Sequence, residues 1–140
     1  MSMMTEMMSM SMKESGMPAM SDADMAAMEA CIEACSACEQ ACVMCADADV
    51  NDGMARCASM CTMCADVTNT MMRMMMRPVG WDRSAMMSML ETTMAMCKAC
   101  ADECMMHADM SEHCKMCAQA CMECMKACEA VLTSMKAMAG

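Results

Sequence analysis

Cysteine recurs in this sequence in steps of three and four residues: Cys31, Cys35, Cys38, Cys42 and Cys45; Cys57, Cys61 and Cys64; Cys97, Cys100 and Cys104; and Cys114, Cys117, Cys121, Cys124 and Cys128. Steps of three and four return a side chain to the same face of an α-helix. All 16 cysteines therefore occupy a or d positions of a seven-residue repeat, and four helices each carry one stripe of sulfur. Ala34, Ala41, Ala120 and Ala127 flank the stripes, and small flanking residues let helices approach closely. The chemistry open to such stripes is that of thiolates, which attack electrophiles and bind soft metals.

Several uses of sulfur fit less well than others. Disulfides across helices need no uniform stripe, and neighbours on one helix face in parallel. A thiol redox enzyme would show an isolated reactive pair or a nucleophile with its base, and none stands out. Zinc in four-cysteine layers is a rival reading, and so is an iron–sulfur site, although such sites need few cysteines beyond the four they use. A metal sensor or delivery protein needs only a few sites. A monovalent soft ion matches the count better: burying many thiolates without compensation is prohibitive, and each Cu(I) cancels one charge. Cu(I) accepts paired thiolates, and charge balance implies about 12–16 ions per chain. The 33 methionines supply thioethers that select the same metal over zinc.

Candidate auxiliary ligands follow from the same register. His107 lies one step past Cys104 on its seam, with Met54 nearby, and is expected beside Cys45, Cys57, Cys104 and Cys114; His113 falls off the seam and reads as a surface residue. Met28, Met71, Met75, Met86, Met135 and Met138 are expected to close the opposite end, as core filler or as a loosely binding thioether mouth. The tail motifs Met1-x-Met3 and Met8-x-Met10-x-Met12 could hand ions to it.

Positioning these residues requires an all-α fold, an antiparallel up-down-up-down four-helix bundle. Residues 1–20 form a Met/Ser-rich tail, flexible or a short helix, set off by Gly16 and Pro18. The bundle occupies 21–140. Its helices are expected at about 21–48, started by Ser21; about 54–76, after the Asn51-Asp52-Gly53 turn and stopped by Pro78; about 83–107, capped by Asp82; and about 111–138. Folding the hairpins stacks Cys45, Cys57, Cys104 and Cys114 at one end. Cys42, Cys61, Cys100 and Cys117 come next, then Cys38, Cys64, Cys97 and Cys121. Beyond these, Cys35 and Cys31 face Cys124 and Cys128, while the other two helices offer Thr68, Thr93, Met71 and Leu90.

The remaining composition excludes whole classes. Leu occurs only at Leu90 and Leu132, Ile only at Ile32, and Phe and Tyr are absent, so sulfur must fill most of the core. A formal net charge of −10 disfavours nucleic acid and anionic membranes as partners. No long uncharged apolar run spans a membrane, and the N-terminus does not read as a signal peptide. Many thiols without an export signal point to a reducing, cytoplasmic location.

The stripes Cys31-x3-Cys35-x2-Cys38-x3-Cys42-x2-Cys45 and Cys114-x2-Cys117-x3-Cys121-x2-Cys124-x3-Cys128, with the shorter sets between them, resemble the bacterial copper storage proteins, the Csp family. The resemblance covers about residues 21 to 138. It implies Cu(I) storage without catalysis, by inward-facing cysteines in a homotetramer of four-helix bundles. It also implies the cytosolic type. A copper donor or acceptor protein is expected as a further partner.

Overall fold

The computed structural model describes residues 3–16 and 20–138; the expectations placed on Met1 and Pro18 lie outside them. Every regular element among the described residues is helical: α1 (Met3–Glu14), α2 (Asp22–Asn51), α3 (Ala55–Met75), a 3-10 turn (Pro78–Gly80), α4 (Arg83–Met105) and α5 (Glu112–Met138). Local chemistry sets these boundaries. The Ser21 hydroxyl accepts from the Asp24 N–H at 3.1 Å, the Asp82 carboxylate from Ala85 N–H at 2.9 Å, and the Ser111 hydroxyl from Cys114 N–H at 3.4 Å, each relieving an orphan donor of a first turn. Gly53, at φ +72°, takes the left-handed conformation that turns the chain between α2 and α3. Pro78 stops α3 because the residue before a proline leaves the helical region.

Differences from the expected boundaries are confined to ends. α2 runs on to Asn51, and α4 stops at Met105, after which the turn hydrogen bonds His107 N–H to Cys104 C=O (3.1 Å) and Ala108 N–H to Met105 C=O (3.3 Å) tighten the chain.

The four long helices pack in a ring: α2 against α3 and α5, and α4 against α3 and α5. Sulfur pairs give their directions. Cys31 meets Cys128 while Cys45 meets Cys114, so α2 and α5 run antiparallel; Cys57 and Cys61 both meet Cys104, and Cys61 also meets Cys100, as antiparallel α3 and α4 require. All sixteen cysteines point into the ring and are free thiols. No described helix is long and apolar enough to cross a membrane.

Of the two forms expected for the N-terminal segment, a flexible tail or a short helix, the described residues take the helix. It forms a regular helix that contacts the 3-10 turn, buries Met8 and Met12, and hydrogen-bonds Thr5 to Glu29. The 3-10 turn and Glu29 both lie at the end remote from the α2–α3 turn. α1 thus sits over the methionine end of the ring, held by thioether burial. Met138 is likewise displaced from its expected place: it is 55% exposed, because the last turn of α5 projects past the core.

Candidate metal centre

A continuous column of sulfur fills the axis. Between α2 and α5, Cys31–Cys128 and Cys35–Cys124 are 3.6 Å apart, Cys38–Cys121 and Cys42–Cys117 3.7 Å, and Cys45–Cys114 3.9 Å. Between α3 and α4, Cys57–Cys104, Cys61–Cys104 and Cys61–Cys100 are each 3.8 Å. Cys42–Cys100 and Cys61–Cys117, both 3.9 Å, tie the two halves together. Each thiol is at most 1% exposed.

The sulfurs form overlapping groups more than separate layers. The expected layer Cys42, Cys61, Cys100 and Cys117 has its four ligand atoms within 4.8 Å of one another. So do Cys38, Cys42, Cys64 and Cys121, and also Cys45, Cys61, Cys104 and Cys117. One such quartet alone would suit zinc, since a metal–sulfur bond of about 2.3 Å places tetrahedral thiolates about 3.8 Å apart. Closed zinc sites cannot occupy all of these groups, however, because Cys42 and Cys117 each belong to two, and Cys61 to three counting that with Cys45, Asp49 and Cys57. Shared sulfurs bridge, which suits many ions of low coordination number.

Proton sharing among close thiols divides them electrostatically. Burial pushes every thiol up, because it penalises the thiolate. Against this, hydrogen bonding with Cys128 and then Cys35 brings Cys31 down to about 5. Cys45 lies at about 7, lowered first by Cys104 and further by Cys61 and His113. Cys114 is pushed to about 11, chiefly by burial. Within the column Cys64, Cys100 and Cys124 are lowered, chiefly through hydrogen bonding with Cys100, Cys104 and Cys128 respectively, while Cys35, Cys42 and Cys97 are raised, chiefly through Cys124, Cys100 and Cys124. Close thiols thus share their protons unequally along the column.

Below Cys38 the column narrows. Thr68 and Thr93 are fully buried at those levels, but their hydroxyls donate to the Cys64 and Met89 carbonyls of their own helices, at 2.9 and 2.8 Å. Met71 and Leu90 fill the space beside them, also fully buried. Cys31, Cys35, Cys124 and Cys128 therefore form a ladder between α2 and α5, joined to the wider column where Cys97 of α4 meets Cys124. Met28, Met75 and Met86 continue this core with Met8 of α1, and Met135 packs partly buried against it.

The thiol end is closed by polar groups that differ from the expected ones. His107 is directed to Glu103, with Nε2 3.0 Å from Oε2, and Met54 is half-buried. His113, expected at the surface, places Nδ1 3.3 Å from Cys45 Sγ and 3.7 Å from Cys114 Sγ, while Nε2 meets Asp52 Oδ2 at 3.1 Å. The ring's pKa is raised, first by Cys45 and then by Asp52, against the effect of burial. Asp49, wholly buried, lies 3.5 Å from Cys114 Sγ and 3.8 Å from His113 Nδ1. Asp49 had a legible signal: it is four residues past Cys45 and extends the four–three rhythm of α2 by one step. His113 had none in the register, since it is adjacent to Cys114 in the first turn of α5 and reaches sideways to α2.

The family model for copper storage protein, Csp, matches residues 21–133. Among solved structures, the copper storage protein Ccsp from Streptomyces lividans loaded with 10 copper equivalents is 34% identical at a TM-score of 0.81, covering 93% of this chain and 98% of that one. A cytosolic copper storage protein from Streptomyces lividans with five coppers is 38% identical at a TM-score of 0.76, covering 79% and 95% respectively. A histidine-to-alanine variant of Streptomyces lividans Ccsp, also 38% identical, has a TM-score of 0.75 and covers 78% and 94%. No curated protein sequence matches the chain.

Proposed function

This chain belongs to the copper storage protein family, and from that premise we propose that it sequesters Cu(I) along the sulfur column, with all sixteen cysteines as ligands. The observation that carries the reading is the overlap of the sulfur groups, in which single thiolates serve two or three neighbouring sites. Each Cu(I) that displaces a thiol proton leaves the core locally neutral, so filling removes the burial penalty that keeps metal-free thiols protonated. The loaded Streptomyces lividans relatives support many ions, and charge balance gives about 12–16 per chain.

The architecture is read as an antiparallel up-down-up-down four-helix bundle over residues 21–140, with the Met-rich helix α1 docked on one end. The thiol end is read as an entrance for copper, where His113 lies beside Cys45 and Cys114, with His107 and Met54 as further candidate ligands. Met28, Met71, Met75, Met86 and Met135 offer neutral, weaker thioethers at the other end, beneath α1. The cytosolic relative supports a cytoplasmic location. A homotetramer and a copper donor or acceptor protein complete the proposal, with no nucleic acid, membrane or catalytic step.

Anaerobic Cu(I) titration against a competing chelator tests it. Capacity above about ten ions, undiminished when Zn(II) is offered, is expected; saturation at one to four ions would overturn storage in favour of sensing, delivery or zinc.

A further inference from the structure

Six distances between α2 and α5 close a small cage of mixed donors. Cys45 Sγ and Cys114 Sγ are 3.9 Å apart, and His113 Nδ1 lies 3.3 Å from the first and 3.7 Å from the second. Asp49 Oδ1 lies 3.9 Å from Cys45 Sγ, 3.5 Å from Cys114 Sγ and 3.8 Å from His113 Nδ1. These are the six edges of a nearly regular tetrahedron. Its centre lies about 2.0–2.4 Å from every corner, the range of zinc bonds to thiolate, imidazole and carboxylate. Two helix faces supply it: Cys45 and Asp49 are one turn apart on α2, and His113 and Cys114 are adjacent in the first turn of α5.

The donor set separates this cage from the sulfur-only quartets such as Cys42, Cys61, Cys100 and Cys117. A carboxylate oxygen is a hard donor that Cu(I) does not favour, whereas zinc takes sulfur, imidazole and carboxylate together. Asp49 also calls for a cation. It is wholly buried, which is costly for an unpaired carboxylate, and among the described residues no Lys or Arg pairs with it; it faces the His113 ring. Asp52, 3.1 Å from Nε2 of that ring, braces it from outside, as carboxylates do behind metal-bound imidazoles. We propose that Cys45, Asp49, His113 and Cys114 form a tetrahedral Zn(II) site that clamps α2 to α5 in the copper-poor protein. Zinc displaces the two thiol protons and lies against the buried carboxylate. Copper in excess takes the two thiolates back, because they favour the softer ion, so capacity for copper is not reduced.

The test titrates the full metal-free chain with Zn(II) alone, anaerobically, against a competing chelator. One equivalent should bind ahead of all others and raise the melting temperature. Zinc-edge X-ray absorption of that singly loaded protein should show two sulfurs and two nitrogen or oxygen atoms. Asp49→Ala and His113→Ala should each weaken the first equivalent by more than about 100-fold, beyond what loss of a bracing partner costs, with helical circular dichroism as the check that both fold. An all-sulfur shell would put zinc in the column and overturn the inference, as would wild-type affinity in either folded variant. The wild-type shell decides the matter even where a variant does not fold. No copper enters this experiment, so its failure is distinct from failure of storage, which the Cu(I) titration reads.

Discussion

The two ends of the sulfur column are built on the same antiparallel helices yet differ in what those helices contribute. From Cys38 to Cys45 on α2, all four helices present cysteine, and the sulfurs belong to overlapping groups. From Cys35 to Cys31, α3 and α4 present Thr68, Met71, Leu90 and Thr93, and only the ladder with Cys124 and Cys128 remains. One end can hold bridged ions on four sides; the other resembles an ordinary apolar core with a line of thiols along one wall. Ligand density is therefore decided position by position along the seam, while the helical frame stays the same.

The largest expected effect breaks the ladder of shared ligands. Replacing Cys42, Cys61, Cys100 and Cys117 together by alanine should lower Cu(I) capacity by more than the roughly four ions that charge balance assigns to four thiolates, because Cys42, Cys61 and Cys117 also serve neighbouring groups. Replacing Cys31, Cys35, Cys124 and Cys128 should remove about four and no more. Equal losses in the titration would erase the distinction between the ends.

Metal-free stability should show the reverse asymmetry. Leu90→Ala empties a fully buried site and should destabilise the apo protein by about 2–5 kcal/mol in chemical denaturation. Cys61→Ala removes one small apolar atom and should cost about 1 kcal/mol. The comparison can also be sharpened by extension: Thr68→Cys with Thr93→Cys should raise capacity by about two ions, whereas no gain would mean that those levels cannot be reached by copper.

Trp81 is the only aromatic side chain in the protein, and its indole N–H donates to the Met74 carbonyl at 2.9 Å beside the 3-10 turn, at the methionine end. Its emission should stay constant through the first equivalents of Cu(I) and change late. Quenching at the first equivalent would place uptake under α1 instead.

The smallest effect concerns acid stability. Glu103 is held below its ordinary value of 4.5, first by His107 and then by Arg56. A depressed carboxyl contributes stability that is present above that ordinary value and lost as pH falls through the lower folded value. Glu103→Gln should therefore flatten the acid side of the stability profile, by under about 1 kcal/mol because Arg56 is largely exposed. An unchanged acid limb would remove the role of Glu103, with His107 and Arg56, in apo stability.

Much of this frame is legible in the residues themselves. The four–three rhythm of cysteine places all sixteen sulfurs inward, and Ser21, Gly53, Pro78 and Asp82 mark the helix ends. Pairings such as Cys35–Cys124 follow from folding the hairpins. What escapes is set by side-chain reach and by docking. His113 is off the seam by register, but a first-turn ring can extend across to the neighbouring helix. α1 hides a buried stripe, Met8 and Met12 one turn apart, within a segment so rich in methionine that no polar face stands out. Met138 illustrates the opposite limit, since periodicity continues past the point where there is a core to cover.

The most direct test of the account is the location of bound copper in the loaded protein by anomalous diffraction at the copper edge. The account predicts a file of copper sites between the cysteine stripes, densest from Cys38 to Cys45 and thinning to the α2–α5 ladder. Copper confined to the exposed methionines, with an empty column of thiols, would contradict it.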